Sequence, residues 1–231
     1  VEYVPGDRLV IRRNPDYAWG PAFYTAPTAE SVDEIEFRFF TDTATRALAL
    51  EGGDAQIMGE LLPIDARALA VSQEIELLPV SVPGQPLQFL LNTSIAPTND
   101  LSVRRALILA TNREAIIDAV FQRFSPVAWA PIAASTAFYN ASLAGAYDYD
   151  PGQARSLLGT AGLVDSDNNG YLDANGADLT LNMLVPPWGL IPDVAQLIQD
   201  QWREVGIRVE LETVPTRSAL IEQVNEGAYN L

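Results

Sequence analysis

The 231-residue sequence contains no cysteine and no histidine, and its 14 cationic side chains are all arginine. These absences remove whole classes of chemistry. Without a thiol or an imidazole there is no cysteine nucleophile, no histidine general base, no Ser-His-Asp triad and no ordinary zinc site. Positive charge is scarce as well: 30 acidic residues leave a formal net charge of −16. Such a field repels phosphate backbones and anionic lipid surfaces, which argues against nucleic-acid binding. The lack of cysteine fits any compartment. The first residues, Val1 to Asp7, show neither the basic stretch nor the apolar run of a signal peptide.

One long segment lacks charge altogether, from Phe124 to Tyr147. Its length suits a membrane span, but Pro126 and Pro131 would leave backbone groups unsatisfied in lipid. It reads as a long, uncharged, partly buried loop.

What is present is a globular composition, 48% hydrophobic and 19% charged, in a chain long enough to bury a real core. The pattern is mixed α and β. Arg8 to Arg12 and Ile35 to Phe40 read as strands, the second with apolar Ile35, Phe37 and Phe39 alternating against polar neighbours. Thr41 or Asp42 caps a helix that ends at Gly52-Gly53. A short strand at Ala55 to Met58, a helix at Pro63 to Ser72 and a strand at Ile75 to Val80 follow. Ser81 to Pro86, with two internal prolines flanking Gly84, marks a domain boundary. Beyond it come a short strand at Leu87 to Leu91 and helices capped by Asp100, Asn112 and the Asp150-Pro151 pair. The last third alternates: strand Leu179 to Val185, amphipathic helix Ile191 to Val205, Gly206, strand Ile207 to Val214, helix Thr216 to Glu226, Gly227. That rhythm predicts a β-α-β unit with a parallel pair. Tyr229-Asn230-Leu231 reads as the start of one more strand.

The most specific local pattern is Asp165-Ser166-Asp167-Asn168-Asn169-Gly170-Tyr171-Leu172-Asp173. Asp165, Asp167, Asn169, Tyr171 through its carbonyl, and Asp173 offer oxygens at the spacing of a calcium loop, with glycine at the sixth position. The twelfth position, normally a bidentate acid, is Gly176, and Asp178 stands two residues further on. The two readings are a structural calcium site and a solvated acidic turn. Paired acids such as Asp148 and Asp150, Glu34 and Glu36, and Glu210 and Glu212 are expected on solvated strand faces and at helix caps. Arg104-Arg105 reads as a helix-surface pair bridging Asp100 or Asp118 in preference to an anion clamp. Among the tryptophans, Trp202 belongs to a core helix face and Trp19 to a packing anchor. Trp129 and Trp188 lie in proline-flanked loops. Trp188 directly follows a strand, where α/β sheets place their ligands, so it either lines a pocket or caps the core.

Several segments in order resemble one family, the extracellular solute-binding proteins, family 5, of peptide and nickel ABC importers. They are Tyr3-Val4-Pro5-Gly6-Asp7-Arg8-Leu9 with Arg13-Asn14-Pro15-Asp16-Tyr17, the Asp42 to Asp54 helix and turn, Asn92-Thr93-Ser94 with Pro97 to Leu107, Asn112-Arg113-Glu114-Ala115-Ile116, and Tyr149-Asp150-Pro151 to Gly162. The family's aspartate before arginine is Asn112 here, an equally good cap. The resemblance implies an α/β, periplasmic binding protein-like fold of class II, whose two lobes close over ligand by hinge motion. Residues 1–82 would form part of the first lobe and the crossover, and residues 83–231 most of the second. It further implies an extracytoplasmic, monomeric, non-enzymatic protein, in the periplasm or lipid-anchored, that captures peptides or similar small solutes for the membrane subunits of an importer. Asn92, Trp129, Pro187 and Trp188 are the expected ligand-binding positions. No cofactor is required, and the acidic loop is the place where a structural Ca²⁺ would sit. The alternatives are a carboxylate-based glycoside hydrolase, which would need two acids facing one pocket, and a calcium-dependent interaction module.

Overall fold

The computed structural model describes residues 1–17, 32–174 and 176–231. Trp19 lies outside the described residues. The chain divides into two compact units, Val1–Leu77 and Leu78–Leu231.

The first unit is built on a three-stranded antiparallel sheet in the order β1 (Glu2–Val4), β2 (Arg8–Arg12), β3 (Glu34–Arg38). The β1–β2 turn passes through Gly6 at a φ of +74°, a conformation open to glycine. β2 and β3 pair Leu9 with Phe37 and Ile11 with Ile35, and the cross-strand ion pair Arg12–Glu34 closes at 2.7 Å. Helix α1 (Thr43–Glu51) starts where Asp42 accepts a hydrogen bond from the Thr45 amide. α2 (Pro63–Leu69) starts on a proline.

The second unit carries the larger core. α3 (Leu101–Leu109) is capped by Asp100, α4 (Arg113–Phe121) by Asn112 and α5 (Pro151–Thr160) by Asp150. A two-residue hairpin, β4 (Asp173–Ala174) and β5 (Ala177–Asp178), follows the acidic loop. β6 (Thr180–Val185), α6 (Ile191–Arg203) and β7 (Arg208–Thr213) then form the expected parallel β-α-β unit, with Thr180 opposite Arg208 and Val185 opposite Thr213. α7 (Arg217–Glu226) is capped by Thr216 and ends at Gly227. The inward faces supply the core: Val103, Ala106 and Leu107 of α3, Ala154 and Leu158 of α5, Leu181 and Met183 of β6, and Val194, Ala195, Ile198 and Trp202 of α6. Buried alanines on α3 and α5 let those two helices approach closely.

Three expected strands, at residues 55–58, 75–80 and 87–91, do not form; all three are irregular. A strand needs a partner for its backbone groups. At 75–82 the chain is irregular, and Leu78, Val80 and Val82 are exposed. At 87–91 the apolar run instead sends Phe89 and Leu91 onto the core. The final residues are strand-like without being a named strand: the Leu184 amide donates to the Leu231 carbonyl, and the Asn230 amide to that of Asn182.

Candidate functional site

A cavity of about 480 Å³ lies within the second unit, inside the size range of small-molecule pockets. Its walls come from several stretches of the chain, Leu231 among them. Residues 86–89 and Leu91 form one side. α3, α4 and the link between them contribute Leu107, Ile108, Thr111, Arg113, Ile116, Ile117 and Phe121. α6 gives Val194, Ile198 and Trp202. Residues 125–131, with Tyr147, form the rim. The lining is mostly apolar because the helix stripes that build the core run out beneath it. Trp202 is anchored there by its indole N–H, which donates to the Thr111 hydroxyl at 2.9 Å, and that hydroxyl donates to the Leu107 carbonyl at 2.7 Å.

Arg113 is the only charged residue among those lining the cavity. Its guanidinium sits 4.4 Å from the centre of the Trp129 ring and donates to the Tyr147 carbonyl. Burial pushes its pKa down, and the charge of Asp148 partly opposes this. No carboxylate lines the cavity among the described residues. The site can therefore hold an apolar body by contact and meet a negative or carbonyl group at one point. It brings no pair of acids together.

The expected binding residues separate. Trp129 lines the cavity. Asn92 does not; its amide donates to the carbonyls of Gly227 and Tyr229 at 3.0 and 3.1 Å, and its side-chain oxygen accepts from the Ser94 amide. These bonds tie together stretches of the second unit that are far apart in sequence. Pro187 and Trp188 sit after β6 in a turn closed by the Ile191 amide donating to the Trp188 carbonyl. Trp188 is 41% exposed and stands apart from the cavity lining, so it neither lines this pocket nor caps the core. Arg113 was present in the sequence only as the residue after a helix cap; its stack on Trp129 and its reach to Tyr147 leave no mark in residue spacing.

The other charges resolve into local roles. Arg104 does not bridge Asp100 or Asp118. It donates to the Thr98 and Asn99 carbonyls, both at 2.9 Å, while Arg123 pairs with Asp118. Glu36 pairs with Arg38, whose hydrogen bond holds the Glu36 carboxyl below the usual range. Glu212 accepts from Asn182 and Gln223.

In the acidic loop, carboxylate oxygens of Asp165, Asp167 and Asp173 lie within 4.8 Å of one another. Asp165 accepts from the amides of Asn169 and Gly170, and Asp173 accepts from both the amide and the hydroxyl of Ser166, which lowers its pKa. The Asn169 amide nitrogen donates to Asp167 and Asp178, so this residue turns its donor toward the acids while its oxygen accepts from the Tyr171 amide. Asp178 also pairs with Arg208 at 2.6 Å, and Arg208 lies 4.3 Å from the Tyr171 ring centre. Asp178 is thus engaged by both Arg208 and Asn169.

A family model described as bacterial extracellular solute-binding proteins, family 5 Middle, matches residues 1–231. The chain is 31% identical over 206 residues to the nickel-binding periplasmic protein of Escherichia coli, a match spanning 87% of this chain and 38% of that protein. It is 33% identical over 192 residues to di/tripeptide-binding protein 3 of Pseudomonas aeruginosa, spanning 81% of this chain and 34% of that one. Among solved structures, NikA from Brucella suis in complex with Fe(III)-EDTA superposes with a TM-score of 0.80 at 24% identity, covering 100% of this chain and 45% of that one. The chain therefore spans well under half the length of the relatives it matches.

Proposed function

The chain belongs to the bacterial extracellular solute-binding proteins, family 5, and from that membership we propose that it is part of the solute-capturing component of an ABC importer. It works outside the cytoplasmic membrane, and among the described residues no helix is long and apolar enough to cross one. The full-length protein takes up peptides or similar small solutes and hands them to the importer's membrane subunits. Residues 1–82 form part of the first lobe and the crossover, and residues 83–231 most of the second; closure of the lobes excludes water from the bound solute. The protein is monomeric and performs no bond chemistry.

The match across the whole chain carries this reading. The make-up of the cavity supports it: shape, apolar surface, one cation and no pair of acids. A glycoside hydrolase would need two converging carboxylates. Relatives that bind nickel and di- or tripeptides define the solutes to try. We further propose a structural Ca²⁺ held by Asp165, Asp167, Asn169, the Tyr171 carbonyl and Asp173, with the Asn169 side chain turning its oxygen to the ion on binding.

Isothermal titration of the full-length protein with a di- and tripeptide pool, and with nickel chelates, tests the reading. Saturable binding by the full-length protein, with much weaker binding by residues 1–231 alone, is expected. Equal affinity of the two would refute two-lobe capture, and hydrolysis of any ligand would refute the non-enzymatic role.

A further inference from the structure

The uncharged run from Phe124 to Tyr147 is an irregular strap with a single 3₁₀ turn at Ala141–Leu143. Its first stretch, residues 125–131, and its last residue, Tyr147, rim the cavity. None of its residues is buried, and none belongs to the apolar core or to the side chains packed against it. Ordering so long an irregular segment costs entropy that apolar burial offsets elsewhere in the unit but not here. Specific ties must hold it.

Those ties fall at two places. Midway, the Ala133 amide donates to the Gly84 carbonyl at 2.8 Å, and the Gly84 amide donates to the Thr136 hydroxyl at 2.7 Å. At the rim, one side chain holds two distant points of the strap: Arg113 stacks on Trp129 and donates to the Tyr147 carbonyl. Arg113 stands at the start of α4, whose Ile116 is anchored in the core. Asp148 acts on its charge through space, without an ion pair. The planar guanidinium can stack and donate at once, which an ammonium cannot do in the same way.

We propose that Arg113 is the latch of this strap. Releasing its two ties frees residues 125–131 and 144–148 to open over the cavity, while the core beneath stays folded. The inference goes beyond solute capture and holds whichever solute the protein takes.

Amide hydrogen exchange on the intact protein, read peptide by peptide, tests it. Arg113→Gln should speed exchange in 125–131 and 144–148 by about tenfold, and leave α3, α6 and β6 unchanged. Arg113→Lys should recover only part of the protection. Trp129→Leu, which removes the stack alone, should give the same pattern at smaller amplitude, and it keeps the test alive if Arg113→Gln does not fold. Thr136→Val should loosen the middle of the strap and not its ends. Unchanged exchange at both ends in Arg113→Gln would overturn the latch. So would acceleration spread evenly over α3 and α6, which would make Arg113 an ordinary packing residue.

Discussion

Asn92 shows how a single residue changes meaning between pattern and fold. The family resemblance marks it as a binding position, and the structure adds a tie: its partners, Gly227 and Tyr229, are 135 and 137 positions away. No spacing rule spans that distance. Removing the donor strands two carbonyls, so Asn92→Ala should destabilise the protein by about 2 kcal/mol in urea denaturation. Asn92→Asp should do no better, because a carboxylate cannot donate. Local roles, by contrast, were legible. Asp42, Asp100, Asn112, Asp150 and Thr216 all cap the helices they precede, because a cap depends only on the next three amides. At Asp173 the donors of Ser166 favour the ionised form, so its folded pKa lies below the unfolded one. The stabilisation is present above the unfolded value and lost as pH falls through the folded value. Ser166→Ala should move the Asp173 titration upward toward the usual carboxylate range, as read by carbon NMR of the side-chain carboxyl; an unmoved titration would show that the hydroxyl does not matter.

Elements were readable where their periodicity was self-contained. α6 shows the strongest apolar stripe, and the β6–α6–β7 crossover followed from it. The strands expected at 55–58, 75–80 and 87–91 failed for the complementary reason: a strand is defined by its neighbour, and composition does not say whether one is there. The join between α6 and β7 gives a sharp test. Gly206 has a φ of +85°, and a Cβ there would lie 2.9 Å from the Leu172 Cγ. Gly206→Ala should therefore cost more than about 1 kcal/mol in thermal unfolding. Leu172→Ala in the same background should relieve the clash but not the backbone strain. Within α6, Trp202→Ala should cost about 3–5 kcal/mol, the loss of a buried indole; Trp202→Phe should cost less and chiefly forfeit the Thr111 hydrogen bond.

At the scale of the molecule, the order of the segments along the chain carried the family and the α/β class, because topology fixes which motif follows which. The cavity did not show in the sequence, since its walls come from stretches spread between Pro86 and Leu231. The acidic loop is the remaining test at this scale. In a chain of net charge −16, calcium at Asp165, Asp167 and Asp173 would relieve repulsion among three neighbouring carboxylates. Calcium should raise the melting temperature of the full-length protein relative to chelator, and Asp165→Asn should abolish the shift; a wild-type curve indifferent to calcium would leave the loop a plain hydrogen-bonded turn. The tie between Asn92 and Asn230, whose backbone amide and carbonyl meet at 2.9 Å, reaches further. It pins the stretch that enters α3 against the stretch that leaves α7, so the helices and strands between them form one long closed loop of chain. Severing that pin should loosen both stretches together and not either one alone.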